Sequence, residues 1–304
     1  MHAVIIFYEG PDIMLYRQKI AATAVVLAVM LTGIQCAVGA DSKASLSADN
    51  INYNVSTKKA HAEGNVVITR NDATIWGDKA DGSIDSSFQV TGNVRGKFIK
   101  RNVTLTAGRI SWTAGTSKSS GFIEASSSVR ITHDKNDKLS ADYVRWQIDT
   151  GDYRARGRVD STYKQYALQC AEASSSKNSF WASNVTKFEN REKRYTLSSG
   201  KINGRTVNGA ITEVIAENDL VLDYADNENL KTHVTGSKAV YSKDRGTIVI
   251  SGNARAVRTD GKTVAADTLV VHEDARTIDA VGNSKITFIM NDNAGRNKKA
   301  GQTQ

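Results

Sequence analysis

Proline and aromatic side chains are scarce in this sequence. Its 304 residues include one proline and 7% aromatic residues, whereas glycine and serine are frequent. A helical protein would carry more leucine, alanine and glutamate in a 3.6-residue rhythm, and that rhythm is absent here. The composition favours many strands joined by tight corners.

Long uncharged runs are also absent, with one exception at the N-terminus. Arg17 and Lys19 precede the uncharged run Ile20–Ala40, which ends in the small residues Val-Gly-Ala. This pattern predicts that residues 1–40 are a cleaved signal peptide and that the mature protein is periplasmic. An uncleaved inner-membrane anchor is the alternative, although the run is barely long enough to span a bilayer.

Cleavage would leave a single cysteine. The mature chain would begin at Asp41, whether translation starts at Met1 or at Met14, and Cys170 would be its only thiol. No intramolecular disulfide is then possible. We interpret Cys170 as a buried structural residue.

An acidic excess is absent as well. Forty Lys and Arg residues outnumber 32 Asp and Glu residues, giving a net charge of +8. Charge of this sign favours anionic partners such as phosphates or an acidic membrane surface. Nucleic acid is not an expected partner, because the sequence has no basic–aromatic clusters and the protein is predicted to be exported.

The sequence has no recognisable catalytic motif. It contains no Gly-x-Ser-x-Gly elbow, phosphate loop or paired-cysteine motif. Four histidines, His61, His133, His233 and His272, fall at different phases of the repeat described below, which argues against a shared metal site. We predict that the protein is not an enzyme and that it binds no cofactor or metal ion. A repeat-built polysaccharide lyase or hydrolase, with carboxylates outside a β-helix, is the enzymatic alternative.

A four-residue phrase recurs along the chain, at a spacing typical of stacked repeats. It reads apolar, any residue, small, then Asp or Gly, with variants in the middle. Its first residues predict one apolar ladder through the stack: Leu46, Ile75, Leu105, Leu139, Leu168, Leu197, Val234 and Val264.

Each phrase marks a corner. Leu139 and Ala141 share one face of an extended strand, whereas Val144 and Trp146 have the opposite parity. The apolar face stays inward only if the chain bends or bulges between them, at Asp142. The aspartates of the phrases are therefore predicted to be corner residues and not catalytic acids.

A second phrase, Gly-Asn, is predicted to start the next strand of each unit, as at Gly64-Asn65 and Gly92-Asn93. Turn signals such as Lys243–Gly246 lie midway between strands and indicate hairpin reversals. We predict an all-β fold, an elongated open β-jelly roll of two facing, mostly antiparallel sheets built from about eight repeats, with an apolar interior.

The combination of Leu-Ser-Ala-Asp, an apolar-x-aromatic pair and Ala-x-Gly-Asn-Val is complete in Leu46–Ile68, and Leu139–Val159 and Val264–Ile286 carry variants of it. In this combination the chain resembles the OstA-like or LptA-like family of periplasmic lipopolysaccharide-transport proteins. The resemblance implies an open "β-taco" that carries acyl chains between its sheets. It also implies protomers joined edge to edge as a bridge from inner to outer membrane.

The middle of the chain departs from this pattern. Cys170-Ala171 and Ser199-Gly200 replace Ala-Asp, and Ser175 and Gly204 occupy aromatic positions. We therefore predict two similar halves, residues 41–160 and 161–290, whose groove is either continuous or jointed, followed by a disordered tail at 291–304.

The resemblance implies that the ligand is lipopolysaccharide or a related acylated lipid. The predicted groove lining is a ladder of apolar residues, and each member taken singly could also be an ordinary core residue. A structural or adhesive repeat protein is the alternative. Partner proteins would be homologous transport proteins or the chain itself, added at the edge strands Ser45–Tyr53 and Ser284–Met290. The lining candidates are Ile51, Tyr53, Val66, Ile68, Ile110, Trp112, Val144, Trp146, Ile202, Leu269 and Ile286.

Overall fold

The computed structural model describes residues 3–5 and 44–288, except for short gaps. The gaps are residues 71–72, 84–85, 100–101, 116–120, 134–136, 148–149, 164, 193, 208–209, 226–229 and 273–276. The predicted tail lies outside the described residues, as does all of the predicted signal peptide apart from residues 3–5.

The described residues are almost entirely strand. Most strands are 11 to 13 residues long and follow one another through short hairpin turns. The strands are β1 (Ala3–Ile5), β2 (Ala44–Ser47), β3 (Asn50–Asn54), β4 (Lys59–Arg70), β5 (Ala73–Ser83), β6 (Ser87–Phe98), β7 (Val103–Thr113), β8 (Phe122–His133), β9 (Asp137–Gln147), β10 (Tyr153–Tyr163), β11 (Tyr166–Ser176), β12 (Ser179–Asn190), β13 (Tyr195–Val207), β14 (Ala210–Ala225), β15 (Lys231–Ser242), β16 (Thr247–Arg258), β17 (Thr263–His272), β18 (Thr277–Val281) and β19 (Lys285–Thr287).

From β4 to β17, each strand pairs antiparallel with the next one in sequence. At one end β2 and β3 both pair with β4, and at the other β18 and β19 both pair with β17. The short β1 lies along β18. The described end strands do not pair with each other, so the sheet stays open, and the predicted all-β antiparallel fold is confirmed. No helix in the described part of the chain is long and apolar enough to cross a membrane.

Every long strand bends at a bulge near its middle. In the β5–β6 pair, Trp76 lies opposite Arg95 and Lys79 lies opposite Thr91, so the register shifts between them. The predicted change of parity is present: Leu139 and Ala141 are buried before the bend in β9, and Val144 and Trp146 are buried after it.

The Gly-Asn phrase does not start a strand, contrary to the prediction from the sequence. Gly92 and Asn93 lie inside β6, opposite the corner of β5, with φ of +79° and +46°. An Asn readily adopts such angles, and Gly does so without steric cost. The phrase is therefore the second half of the corner, carried by the neighbouring strand.

An aspartate on one strand covers a glycine on the next. A Cβ atom on Gly92 would collide with the carboxylate of Asp78, and Asn93 Nδ2 donates a hydrogen bond of 3.1 Å to Asp78 Oδ2. Asp49 receives the same bond from Asn65 at 3.0 Å. The structure thus places these aspartates at corners.

In two corners the glycine lies on the first strand of the pair, at the position where other corners have the aspartate. Gly108 stands in the aspartate position of β7, and a Cβ atom there would lie 2.8 Å from Ser127 Cβ on β8. Gly200 on β13 has the same relation to Asn218 on β14, again at 2.8 Å. In these two corners and in the Asp–Gly corners, the close approach of the two strands leaves room for one side chain only.

The bends divide each strand into two halves, which build two facing layers. Layer A contains halves such as Val94–Phe98 and Val103–Ala107, and layer B contains halves such as Ser87–Thr91 and Arg109–Thr113. The predicted ladder from Leu46 to Val264 lies on the inner face of layer A. Its members come from every second strand, and residues of the strands between them, such as Ile68 and Ile131, complete the row.

Candidate functional site

The inner surface between the layers is the most extended apolar feature of the molecule. On layer B its central row combines alanines with branched residues, so that the bulkier row of layer A can approach. One hydrophobic cluster runs from Ala62 to Ala280. The central row of layer B reads Ile51, Ala62, Ala80, Val90, Ile110, Ala125, Val144, Ala155, Ala173, Ala182, Ile202, Ala216, Ala239, Ile250, Leu269 and Ala280.

Nearest the hairpin ends, each layer has an inward row that we call its lip. Lip B is rich in aromatic and branched residues. It reads Phe88, Trp112, Ile123, Trp146, Tyr153, Ser175, Phe180, Gly204, Val214, Tyr241, Ile248, Val271 and Ile278.

The two lips touch at two described places. The ring of Phe98 on layer A lies 5.8 Å from that of Trp146 on layer B, in an edge-to-face arrangement. The guanidinium of Arg70, also on layer A, lies 4.2 Å from the ring centre of Trp112. The strand pairings described above are lateral, so the layers are linked by the bent strands and by side-chain packing.

The sequence-predicted lining residues all lie on this inner surface, in different degrees of burial. Trp112 and Ile286 are partly buried, while Ile51 and Tyr53 are 46% and 55% exposed. The remaining candidates are buried: Val66, Ile68, Ile110, Val144, Trp146, Ile202 and Leu269.

The exposed candidates mark an open end of the interior. Ile51 and Tyr53 lie opposite Ala62 and Ala60 in the β3–β4 pair, so their side chains share the inner face of layer B. They are exposed because, among the described strands, β3 has a neighbour on one side only. At the other end Phe288, which follows β19, is 54% exposed.

In the middle of the chain, where the pattern departs, the central row of layer B stays apolar, with Ala173, Ala182 and Ile202. Gly204 leaves space on lip B that the ring of Phe180 fills from the neighbouring strand, since any Cβ on Gly204 would collide with it. The proposed boundary between the halves, after residue 160, falls inside β10, which pairs with β9 on one side and β11 on the other. The division into two halves itself stays a prediction.

Sequence reasoning missed a polar row on lip A. In its central part this lip changes from Phe98 and Val103 to tyrosines and other polar residues. These share the inner face because they are directly opposed in successive pairs: Tyr163, Tyr166, Asn190, Tyr195, Tyr224 and Thr232. The available signal in the sequence is a Tyr or Asn beside each of these hairpin turns.

The titratable groups of the described residues do not gather into a metal-binding centre. No group of three His, Cys, Asp or Glu side chains there could hold a metal ion. Each of four histidines instead lies beside one aspartate, as in the 2.5 Å contact of His61 Nδ1 with Asp81 Oδ1. Burial raises the pKa of the Cys170 thiol to about 12, as expected of a structural cysteine.

Comparison with known proteins agrees with this architecture. A family model described as the LptA/(LptD N-terminal domain) LPS transport protein matches residues 45–277, which is most of the chain. The chain belongs to this LptA/LptD N-terminal family. No curated protein sequence gives a match to it. The resemblance predicted from the corner phrases is thereby confirmed, and the matched residues begin in β2 and end in β18.

Membership of the LptA/LptD N-terminal family assigns the protein to lipopolysaccharide transport in the cell envelope. The matched region includes most of both layers and both lips, and the Asp–Gly corners from Asp49–Gly64 to Asp142–Gly157. Most of the apolar interior therefore lies within the matched residues.

Proposed function

We propose that this protein shields the acyl chains of lipopolysaccharide between layers A and B while the lipid crosses the periplasm, by binding and without catalysis. Periplasmic location and cleavage after Ala40 are part of the proposal. The observation that carries it is the extended apolar interior whose inner face opens to solvent at Ile51 and Tyr53.

Moving an acyl chain through water without such an interior has a large free-energy cost. An exposed acyl chain of about a dozen carbons costs on the order of 10 kcal/mol at roughly 0.8 kcal/mol per methylene group. Rows of Ile, Val, Leu and aromatic side chains offset most of this cost without recognising any one methylene. Because each unit repeats the same lining, a chain can slide between nearly equivalent positions.

The interior is filled by the protein's own side chains, so acyl chains must displace the lips from one another. The contacts that must part include the Phe98–Trp146 ring pair and the Arg70–Trp112 cation–π pair, both of which are side-chain contacts. The backbone hydrogen bonds lie within each layer and are kept when the layers part.

The open end allows a test in which folding is not at risk. Tyr53 and Asn52 are adjacent and exposed, but Tyr53 shares the inner face with Ala60 and Asn52 points outward with His61. We expect Tyr53→Asp to reduce lipopolysaccharide capture, because a carboxylate at the opening must be desolvated by an arriving acyl chain. The matched variant Asn52→Asp should bind as the wild type does.

The measurement is retention of lipopolysaccharide by the purified protein, quantified by mass spectrometry of extracted lipid. Equal retention by Tyr53→Asp and Asn52→Asp would contradict the use of this opening. The same preparation gives the mass of the mature chain, which the proposal places at a start on Asp41.

We further propose that the ends of the sheet add strands of homologous proteins or of a second copy. Within the described part of the chain, β2 and β3 pair with β4 alone, and β19 pairs with β17 alone. Free edges of this kind are templates for strand addition, and a head-to-tail contact does not close on itself.

Ile286→Pro is the corresponding variant, because proline removes a backbone donor from β19. Sedimentation of the wild type should show concentration-dependent association, and the variant should associate less. A wild type that stays monomeric at high concentration and crosslinks to no partner through β2, β3 or β19 would contradict this part of the proposal.

A further inference from the structure

Three arginines lie together on the outer face of layer B. Arg154 on β10 is directly opposite Arg145 on β9, and Arg156 follows on the same face two residues further along β10. Like charges directly opposite each other in adjacent strands are destabilising. The sheet therefore holds these guanidiniums together at a cost that a bound anion would offset.

Two carboxylates neutralise this group only in part. Glu124 lies 3.6 Å from Arg145 and also accepts a hydrogen bond of 2.5 Å from the Tyr143 hydroxyl. Glu172 pairs with Arg154 and lies 4.0 Å from Arg156. Three guanidiniums thus meet two carboxylates, one of which is shared with a phenol, and the cluster keeps an excess of positive charge.

Each of these guanidiniums also lies over an aromatic ring. The distances from the guanidinium carbon to the ring centre are 3.9 Å for Arg145 over Phe122, 4.5 Å for Arg156 over Tyr143 and 5.7 Å for Arg154 over Trp181. The ring contacts restrict the long side chains before any ligand arrives, which lowers the entropic cost of binding. The side chains remain 42%, 51% and 52% exposed for Arg145, Arg156 and Arg154, so the N–H edges are accessible.

We propose that this arginine cluster, Arg145, Arg154 and Arg156, binds a phosphate group carried on a saccharide. Guanidinium forks match phosphate oxygens, and a phosphate has enough oxygens and charge to bridge three of them. A carboxylate is a poorer match because the two glutamates already supply that geometry. The partly exposed rings of Phe122, Tyr143 and Trp181 beside the cluster can contact the apolar face of a sugar ring.

This inference goes beyond the proposed acyl-chain function and does not depend on it, because the cluster lies outside the interior. Arg145 and Arg154 are nevertheless next in sequence to Trp146 and Tyr153 of lip B. A polar headgroup that leaves the interior over this lip would meet the cluster within one residue of the rim.

The test uses a probe that has no acyl chain. Calorimetric titration of the purified protein with glucosamine 6-phosphate should show binding that weakens as salt is added, and glucosamine should not bind. Arg154→Gln/Arg156→Gln should weaken binding by about tenfold or more, since two charge-assisted contacts are lost. Arg154→Lys/Arg156→Lys should also weaken it, because lysine keeps the charge but loses the planar fork.

Lys201→Gln/Lys238→Gln is the matched control. Both lysines lie on the same outer face, opposite Glu217, and their removal changes the net charge by the same amount. We expect this control to bind the probe within about twofold of the wild type, since distant surface charges are largely screened. Far-UV circular dichroism of all variants confirms that the sheet is retained.

Three results would overturn the proposal. One is equal binding of glucosamine 6-phosphate by the wild type and Arg154→Gln/Arg156→Gln. The second is inorganic phosphate binding as tightly as the sugar phosphate, which would remove the saccharide from the assignment. The third is binding only to vesicles of phosphatidylglycerol in phosphatidylcholine, which would make the cluster a membrane-facing surface.

Discussion

Phe98 and Trp146 meet edge to face across the interior, with ring centres 5.8 Å apart and ring planes at 69°. Phe98 belongs to β6 in layer A and Trp146 to β9 in layer B, so the contact joins strands three apart in sequence order. The facing layers are therefore offset, as twisted sheets are when they pack. This pair closes the mouth of the interior at that level.

Replacing Phe98 by Ala should destabilise the protein by about 3 to 5 kcal/mol, because a buried ring is removed and the facing Trp146 loses its partner. Equilibrium unfolding in urea measures the change. Phe98→Leu, which keeps most of the apolar volume, is the control and should cost clearly less. An unfolding free energy unchanged in Phe98→Ala would mean that the lips are not packed in solution.

The corners predict a reciprocal rescue. Gly92→Asn should cost about 2 kcal/mol, because its Cβ displaces the Asp78 carboxylate. Asp78→Gly/Gly92→Asn rebuilds the arrangement seen at Gly200 and Asn218, with the glycine on the other strand. It should recover most of the loss, and a double-mutant cycle should give a coupling free energy of about 1 kcal/mol or more. Additive losses of unfolding free energy would contradict the claim that each corner has room for one side chain only.

Much of the fold could be predicted from sequence because the corner is a local event. The change of parity between Ala141 and Val144 is visible in the residues themselves, and it fixes which side chains face inward. The glycine partner of each aspartate was placed at a strand start instead, because its position depends on the register between neighbouring strands. A single sequence does not carry that register directly.

Protonation of His61 makes a pH-dependent contribution to the stability of the fold. The hydrogen bond and charge of Asp81 raise the pKa of His61 above its usual 6.5, with a smaller contribution from Glu63. A raised folded-state pKa stabilises the fold fully below the unfolded pKa, and this stabilisation is lost as the pH rises through the folded pKa. An NMR titration should place the His61 pKa above 6.5 in the wild type and closer to 6.5 in Asp81→Asn. An identical pKa in both proteins would exclude Asp81 as the cause.

Cys170 should be chemically inert in the folded protein. Because burial raises the pKa of its thiol to about 12, almost no thiolate exists at pH 8. We expect iodoacetamide to modify Cys170 very slowly under native conditions and rapidly in denaturant, as followed by intact mass. Rapid native modification would show that the β11 corner opens readily.

The arginine cluster could not be predicted from the sequence for a different reason. Glu124, Arg145 and Trp181 come from three different strands and become neighbours only after the strands are paired. The sequence contains no extended run of basic and aromatic residues. That absence excludes a cluster formed by consecutive residues, but not one formed by residues of different strands. The net charge of +8 was the single signal for an anionic ligand.

The central claim is that acyl chains lie between the layers. Photo-crosslinking in cells tests it most directly, with benzoylphenylalanine placed at Trp112 on the inner face or at Trp76 on the outer face of the sheet. Both positions are occupied by tryptophan, and both have side chains that are partly accessible. The account predicts lipopolysaccharide adducts from position 112 and few or none from position 76. Equal labelling from both positions, or labelling from position 76 alone, would contradict it.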